Sequence, residues 1–471
     1  MHAALPDGVR MLPVVRTQYV KPSVAGVSLL LAAGAANAQL TQFLPVPGIS
    51  GVPGCNAQTC VLSGSAGYSG VRVSDDGRYV ATVAYIPGEA NGFVPLQGAR
   101  WTPGGPLEVI TPPLDPLFAV VGISADGSTV LGRSWRWTAA NGYEDLVPLL
   151  RDTRGIWTSQ FFGISDDAQV YAGLRGFLPD AGDMFRRNVP TGQVTILPRA
   201  PGAPGGYNYF NCISGNGRVV AGAVRQPPSE SDPVRFDSYA PVVIDSSGPR
   251  LLAPLTSSNF QGVTDLNFDG TVAVGVIAQS FQLKAFRWNG GSTLEILQSP
   301  TAGSFDGSYA RAVNRDGTVI VGEYLRFGTP GTRAWIWRAG VGFSDLQDEL
   351  STVFGLGDAL AGWRLLVATD VSGDGKVIVG QGVNPDGVEQ AFYVRFREST
   401  CPADLTGIGG PPSIPDGLLT GDDFNAFISA FAAGDLLADL TGIGGPPAIA
   451  DGLITGDDFN AFIAAFAAGC P

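Results

Sequence analysis

Histidine is nearly absent from this 471-residue chain, the single copy being His2. It lies ahead of a segment with the pattern of a removable export signal, so the mature protein is expected to contain none. That excludes Ser-His-Asp and Cys-His catalysis and every histidine-ligated metal site. Charge is scarce as well: 15% of residues are charged, and 29 basic against 42 acidic residues leave a net −13. A chain this acidic repels phosphate backbones, which argues against a nucleic-acid partner. Long apolar runs are missing too. The longest, Val24 to Ala36, has 13 residues, where a membrane span needs roughly 20. Glycine and proline, by contrast, supply 65 and 35 residues. Such a share favours many turns over a helical enzyme, and 45% hydrophobics still allow a large core.

Arg10, Arg16 and Lys21 precede the apolar stretch, and Ala36-Asn37-Ala38 follows it. This is the charged, apolar and small-x-small order of a secretory signal over residues 1–38, cut before Gln39. The charged region is long, and Met11 offers a second start nearer the apolar stretch. Export places the protein outside the cell or at its surface, where disulfides persist. Cys55 and Cys60 share one small loop in an N-terminal segment, residues 39–61. Cys401 and Cys470 bracket the end of the chain, and Cys212 is left over. Two disulfides and one buried, inert thiol is the simplest partition.

From residue 62 to 399 a short pattern recurs seven times: aliphatic, Ser or Asn, any residue, Asp or Asn, Gly. The copies are Val73–Gly77, Ile123–Gly127, Ile164–Ala168, Ile213–Gly217, Leu266–Gly270, Val313–Gly317 and Val371–Gly375, the third ending in Ala. Spacings of 41 to 58 residues suit four-stranded propeller blades. Asp-Gly between apolar runs marks a hairpin turn with positive φ. A further Gly closes the next strand at Gly132, Gly173, Gly222, Gly275, Gly322 and Gly380, as expected where strands crowd a central axis. Trp101, Trp137, Trp288 and Trp337 end the strand after that. The sequence thus predicts an all-β, seven-bladed propeller. Aspartates repeated at one turn are structural, since a catalytic pair would be unique to one copy. The tryptophans are expected to pack the blades.

The copies resemble extracellular propeller-type HAF repeats, with Ser-x-Asp-Gly and Ala-Phe-x-Trp signatures such as Ala285-Phe286-Arg287-Trp288. In the sialidase Asp-box the Gly stands two residues after the Asp. Here it follows directly, so sialidase activity is not implied.

Residues 400–471 form a separate small helical module. Positions 404–434 and 439–469 are duplicates, with four differences in 31 positions. Setting Asp416-Gly417 at positions 5 and 6 of a calcium loop places the Leu418 carbonyl at 7, Thr420 at 9 and Asp423 at 12. Asp404 and Thr406 supply positions 1 and 3 if residues 407–415 bulge out. The second copy gives Asp439, Thr441, Asp451, the Leu453 carbonyl, Thr455 and Asp458. Hard oxygen ligands of this kind select Ca2+. The alternative is that Thr420-x-x-Asp423 is only a capping box. Phe424, Phe427, Ile428 and Phe431, with Phe459, Phe462, Ile463 and Phe466, give each copy an amphipathic helix. This stretch resembles a dockerin of the kind ending in Gly-Cys-Pro, with an eight-residue insertion, Thr at position 3 and Asp at position 12. The resemblance implies two calcium loops and a cohesin-type partner.

Together these features predict a secreted, non-enzymatic recognition or scaffold protein, its propeller taking a carbohydrate or protein ligand and its calcium-dependent module attaching it to an extracellular assembly. The alternatives are a polysaccharide hydrolase or lyase using carboxylates at the propeller mouth, and a structural cell-surface protein. An enzyme would place two non-repeated carboxylates roughly 5–10 Å apart in one cleft, whereas a binder would expose aromatics there. Intact-mass measurement before and after reduction tests the maturation: a chain beginning at Gln39, with Cys55–Cys60 and Cys401–Cys470 bonded, is expected. Four or more free thiols in the native protein would contradict it.

Overall fold

The computed structural model describes residues 41–47, 70–85, 96–112, 119–150, 159–175, 182–200, 207–226, 238–254, 261–279, 282–297, 307–325, 331–354 and 356–396. In the C-terminal part it describes 401, 403–406, 418–434, 438, 440–441 and 453–469. The signal segment, Cys55, Cys60, Asp416, Asp439, Asp451 and Cys470 lie outside the described residues.

Seven four-stranded antiparallel sheets form a seven-bladed β-propeller. The first blade shows the plan, with strands Arg72–Val73, Val80–Tyr85, Leu96–Trp101 and Leu107–Val109 in spatial order from the inside outwards. Each repeated pentapeptide is the turn between the two inner strands. Ser74 Oγ donates to Asp76 Oδ1 at 2.6 Å and accepts the Tyr79 N–H at 3.0 Å, while Asp76 Oδ1 accepts the Arg78 N–H at 3.0 Å. The same network surrounds Ser124, Ser165, Ser214 and Ser372. Asn267 and Asn314 take the serine's place and accept the corresponding N–H through Oδ1. The repeated Asp and Asn are therefore turn-builders, as expected. Glycine ends six of these turns with φ between +70° and +79°; Ala168 at +57° is the one non-glycine with positive φ among the described residues.

The seventh blade differs from the sequence reading. Its chain-terminal strands Arg364–Val371, Val377–Val383 and Glu389–Arg395 are completed by Gln42–Pro45, which pairs antiparallel with Glu389–Arg395. The propeller thus takes its last strand from the segment assigned to residues 39–61, and its boundary at 62 moves toward the N-terminus. Phe43 anchors that strand, 5.1 Å from the Trp363 ring and 6.2 Å from Phe392.

The core lies between successive blades, where buried Val, Ile and Ala of one sheet meet aromatic side chains of the next. Trp101, Trp135, Trp137, Trp288 and Trp335 are all buried. At the closing seam Trp101 packs edge-on against Tyr393, whose hydroxyl donates to the Gly77 carbonyl. The strand-closing glycines are placed differently from the expectation of an axial position. They lie on the second strand, where a Cβ on Gly275, Gly322 or Gly380 would strike an inner-strand carbonyl and the aromatic ring of the third strand. Bulges in the inner strands bring that carbonyl close.

Left-handed backbone at a non-glycine residue costs roughly 1–2 kcal/mol. Ala168→Gly is therefore expected to stabilise the propeller by about 1 kcal/mol, read as a rise in Tm of roughly 2 °C. A fall in Tm would show that the Ala168 methyl contributes packing that outweighs the strain.

Candidate functional site

The unspecified third residue of each pentapeptide turns out to face the central channel. Going round the propeller these are Asp75, Ala125, Asp166, Gly215, Phe268, Arg315 and Gly373. Their backbones join in a closed belt. Ala125 N–H donates to Asp166 O, Asp166 to Gly215 O, Phe268 to Arg315 O, Arg315 to Gly373 O and Gly373 to Asp75 O, while Asp76 and Asn216 complete the circle to Ala125 O and Phe268 O. All seven N···O distances lie between 2.8 and 3.2 Å. Serine and aspartate make this possible. Their side chains satisfy the hairpin's own N–H groups, leaving the third residue free to bond its neighbouring blade.

Arg315 spans this mouth. Its Nε and Nη2 donate to Asp75 Oδ2 at 3.0 and 2.7 Å, and Nη2 also donates to Asp166 Oδ2 at 2.7 Å. Its guanidinium lies 4.1 Å from the centroid of Phe268, a cation–π contact. Small neighbours make room for the carboxylates: a Cβ on Gly215 would come within 2.7 Å of Asp166 Oδ1, and one on Gly373 would collide with Asp75. Burial, and then the negative charge of Asp75, push Asp166 up to about 6 despite Arg315.

The belt residues and the channel behind them line one cavity of about 150 Å³. The residues two before six of the seven buried Ser or Asn line it as well, and there the copies diverge into Arg72, Gly122, Gly163, Cys212, Asp265 and Asp370. Asp265 Oδ2 accepts the Val313 N–H of the next blade, and Asp370 Oδ2 accepts that of Val73, both at 2.9 Å. Burial raises both acids, and the charge of Asp370 helps to lift Asp265 to about 7. Arg72 Nη1 makes one long bond of 3.4 Å to Thr369 O, and its buried Nε has no partner among the described residues. Cys212 is a free, buried thiol, pushed well above its ordinary range by burial and by Asp265. The channel and its mouth thus hold four carboxylates and two guanidiniums. Sequence reasoning passed over all of them. The available signal was charge at positions where the repeats disagree.

In the C-terminal module Cys401 is disulfide-bonded and buried. Helices Gly421–Ala433 and Gly456–Ala468 are capped by Thr420 and Thr455 in full capping boxes. They pack through Phe427 and Phe462, which stack at 4.0 Å and are fully buried. Phe424, Ile428, Ile463, Leu418 and Leu453 remain exposed. Asp404, Thr406 and Thr441 are buried, as are Asp423 and Asp458. The latter two are held by donors of their own repeat. Asp423 Oδ1 accepts the N–H groups of Leu405 and Thr406, and Oδ2 accepts the N–H and hydroxyl of Thr420. Asp458 repeats this with Leu440, Thr441 and Thr455. A carboxylate offers about four lone-pair sites, and here donors already face all of them.

The fold and mouth define a closed seven-bladed propeller with an acidic channel. No family model matches the chain, and no curated protein matches it in sequence. Among solved structures it is similar to the β-propeller domain of the Trilobed protease from Pyrococcus furiosus, at TM-score 0.44 and 12% identity over 72% of this chain and 94% of that one. It is also similar to Porphyromonas gingivalis dipeptidyl peptidase 4, at 0.39 and 9% over 70% and 52%. TolB from Acinetobacter baumannii gives 0.34 and 11% over 76% and 96%. Likeness at this level bears on neither activity nor ligand.

Asp265 generates a pH prediction. Its folded pKa of about 7 lies above the ordinary 3.8, so the folded state holds the extra proton and stability falls as pH rises between those values. Asp265→Asn keeps an oxygen for the Val313 N–H and removes the charge. Its stability advantage over the wild type, followed by Tm, should grow from pH 5 to pH 8, by on the order of 1.4 kcal/mol per unit until about pH 7. An advantage of equal size at both pH values would show that Asp265 does not titrate in this range.

Proposed function

We propose that this is a secreted, non-enzymatic recognition protein. Its propeller mouth takes a ligand bearing a basic group, and its C-terminal helix pair attaches it to a cohesin-type partner or another extracellular assembly. The observation that carries the reading is convergence. Asp75, Asp166, Phe268 and Arg315 come from four blades and meet at one partly exposed mouth. Carboxylates outnumber guanidiniums there and deeper in the same cavity, so an incoming ammonium or guanidinium is electrostatically favoured. It can take over the carboxylates that Arg315 now holds, while Phe268 offers an apolar and cation-binding face. Attachment is supported by the duplicated exposure of Leu418, Phe424 and Ile428 and of Leu453 and Ile463.

The hydrolase reading has one observation in its favour, since Asp265 and Asp370 are non-repeated carboxylates in one channel. Against it stands size: about 150 Å³ compares with roughly 300–1,000 Å³ for pockets that enclose small molecules. Both acids are also engaged by inner-strand N–H groups.

Arrays of neutral oligosaccharides, amino-bearing oligosaccharides and lysine-bearing peptides, probed with the mature protein, test the proposal. Binding should favour the amine-bearing probes, weaken with salt, and drop about tenfold in Phe268→Ala, the effect of losing roughly 1.4 kcal/mol. Equal binding to neutral probes, or full retention in both Phe268→Ala and Arg315→Ala, would overturn it.

A further inference from the structure

At position 12 of the two duplicated C-terminal turns the hydrogen bonds have the opposite polarity from a calcium site. A calcium site gathers six to eight oxygens around a cation. Here a buried carboxylate gathers three backbone N–H groups and a hydroxyl, in both copies and with matching distances. Asp423 receives Leu405 N and Thr406 N at 2.9 Å each, Thr420 N at 2.8 Å and Thr420 Oγ1 at 3.2 Å. Asp458 receives Leu440 N and Thr441 N at 2.9 Å, Thr455 N at 2.8 Å and Thr455 Oγ1 at 3.1 Å.

We infer that Asp423 and Asp458 are internal anionic clamps that hold the module folded without calcium. Each ties Leu405-Thr406 or Leu440-Thr441 to the first turn of its helix. A cation at position 12 would face N–H dipoles pointing their positive ends toward it. The carboxylate instead sits at a helix N-terminus, where the dipole favours negative charge. This matters because residues 401–471 contain nine aspartates and no Lys, Arg or His. Without a basic partner, a buried acid has to be stabilised by hydrogen bonds. The inference deepens the attachment reading, because docking through this module then needs no calcium signal.

Hydrogen exchange of the full mature chain, followed by mass spectrometry on peptides from the two helices, decides the matter without reference to any partner. Protection is measured in EDTA and with calcium at roughly 10⁻³ M, the range of weak extracellular sites, with ionic strength matched by sodium chloride. The two conditions should agree within about a factor of two in exchange rate. The second arm is Asp423→Glu with Asp458→Glu. Glutamate is the usual residue at position 12 and should strengthen a calcium loop; in a filled clamp the extra methylene crowds the donors. The double variant should lose protection about tenfold or more, with or without calcium. Calcium-specific slowing of exchange in the wild type, or a variant that calcium rescues, would overturn the inference. If the variant does not fold, the wild-type comparison alone still decides.

Discussion

Everything in the propeller depends on how one side-chain oxygen is used. In five blades the buried serine hydroxyl donates to the turn's Asp or Asn and accepts the N–H five residues on. Asn267 and Asn314 supply the same acceptor in the other two. With the hairpin closed in this way, the third residue of each pentapeptide is left with backbone groups that face the next blade. Seven such residues close a circle. A single hydrogen bond of this kind contributes about 1 kcal/mol net, but an orphaned buried N–H costs about 1–3. The circle is therefore worth most when complete. Completing it requires the last blade to meet the first, and the strand Gln42–Pro45 holds the last blade together.

This arrangement explains which parts of the molecule were legible in the sequence. Features repeated seven times were legible because each copy solves the same local problem. The Asp or Asn builds the turn, the Gly accepts positive φ, and the Trp or Phe fills the space between blades. The channel was not legible, because its chemistry lies where the copies disagree: Asp75, Asp166, Phe268 and Arg315 in the belt, Arg72, Asp265 and Asp370 behind it. A motif written as "any residue" discards that information. The closing strand was hidden for another reason. Gln42–Pro45 has no partner nearby in sequence, and only its pairing with Glu389–Arg395 gives it a place. The axial expectation for the closing glycines failed because spacing does not reveal the bulge that brings an inner-strand carbonyl against them.

The C-terminal aspartates show what spacing leaves out. Counting positions 1 to 12 records which residues carry oxygen, not which groups point at them. What remains common to a calcium loop and this module is the helix start, where Thr420 and Asp423 satisfy N–H groups that any helix leaves open. The capping box and the position-12 ligand use the same residue types at the same spacing, so sequence alone could not separate them. In the structure Asp423 accepts the N–H groups of Leu405 and Thr406.

The two halves of the protein thus handle buried carboxylates differently, with different consequences for binding. In the C-terminal module the lone-pair sites of Asp423 and Asp458 are filled by donors of their own repeat, which leaves the exposed apolar helix faces to make contacts. In the channel the belt fixes the backbone, while the acids are held partly by side chains that can move. Arg315 is shared between Asp75 and Asp166 and is itself partly exposed. A rigid ring with exchangeable charges at its centre would separate stability from the proposed recognition. The Ser-Asp turns carry the first, and the divergent residues are free to determine the second, which is how a common fold comes to host a particular site.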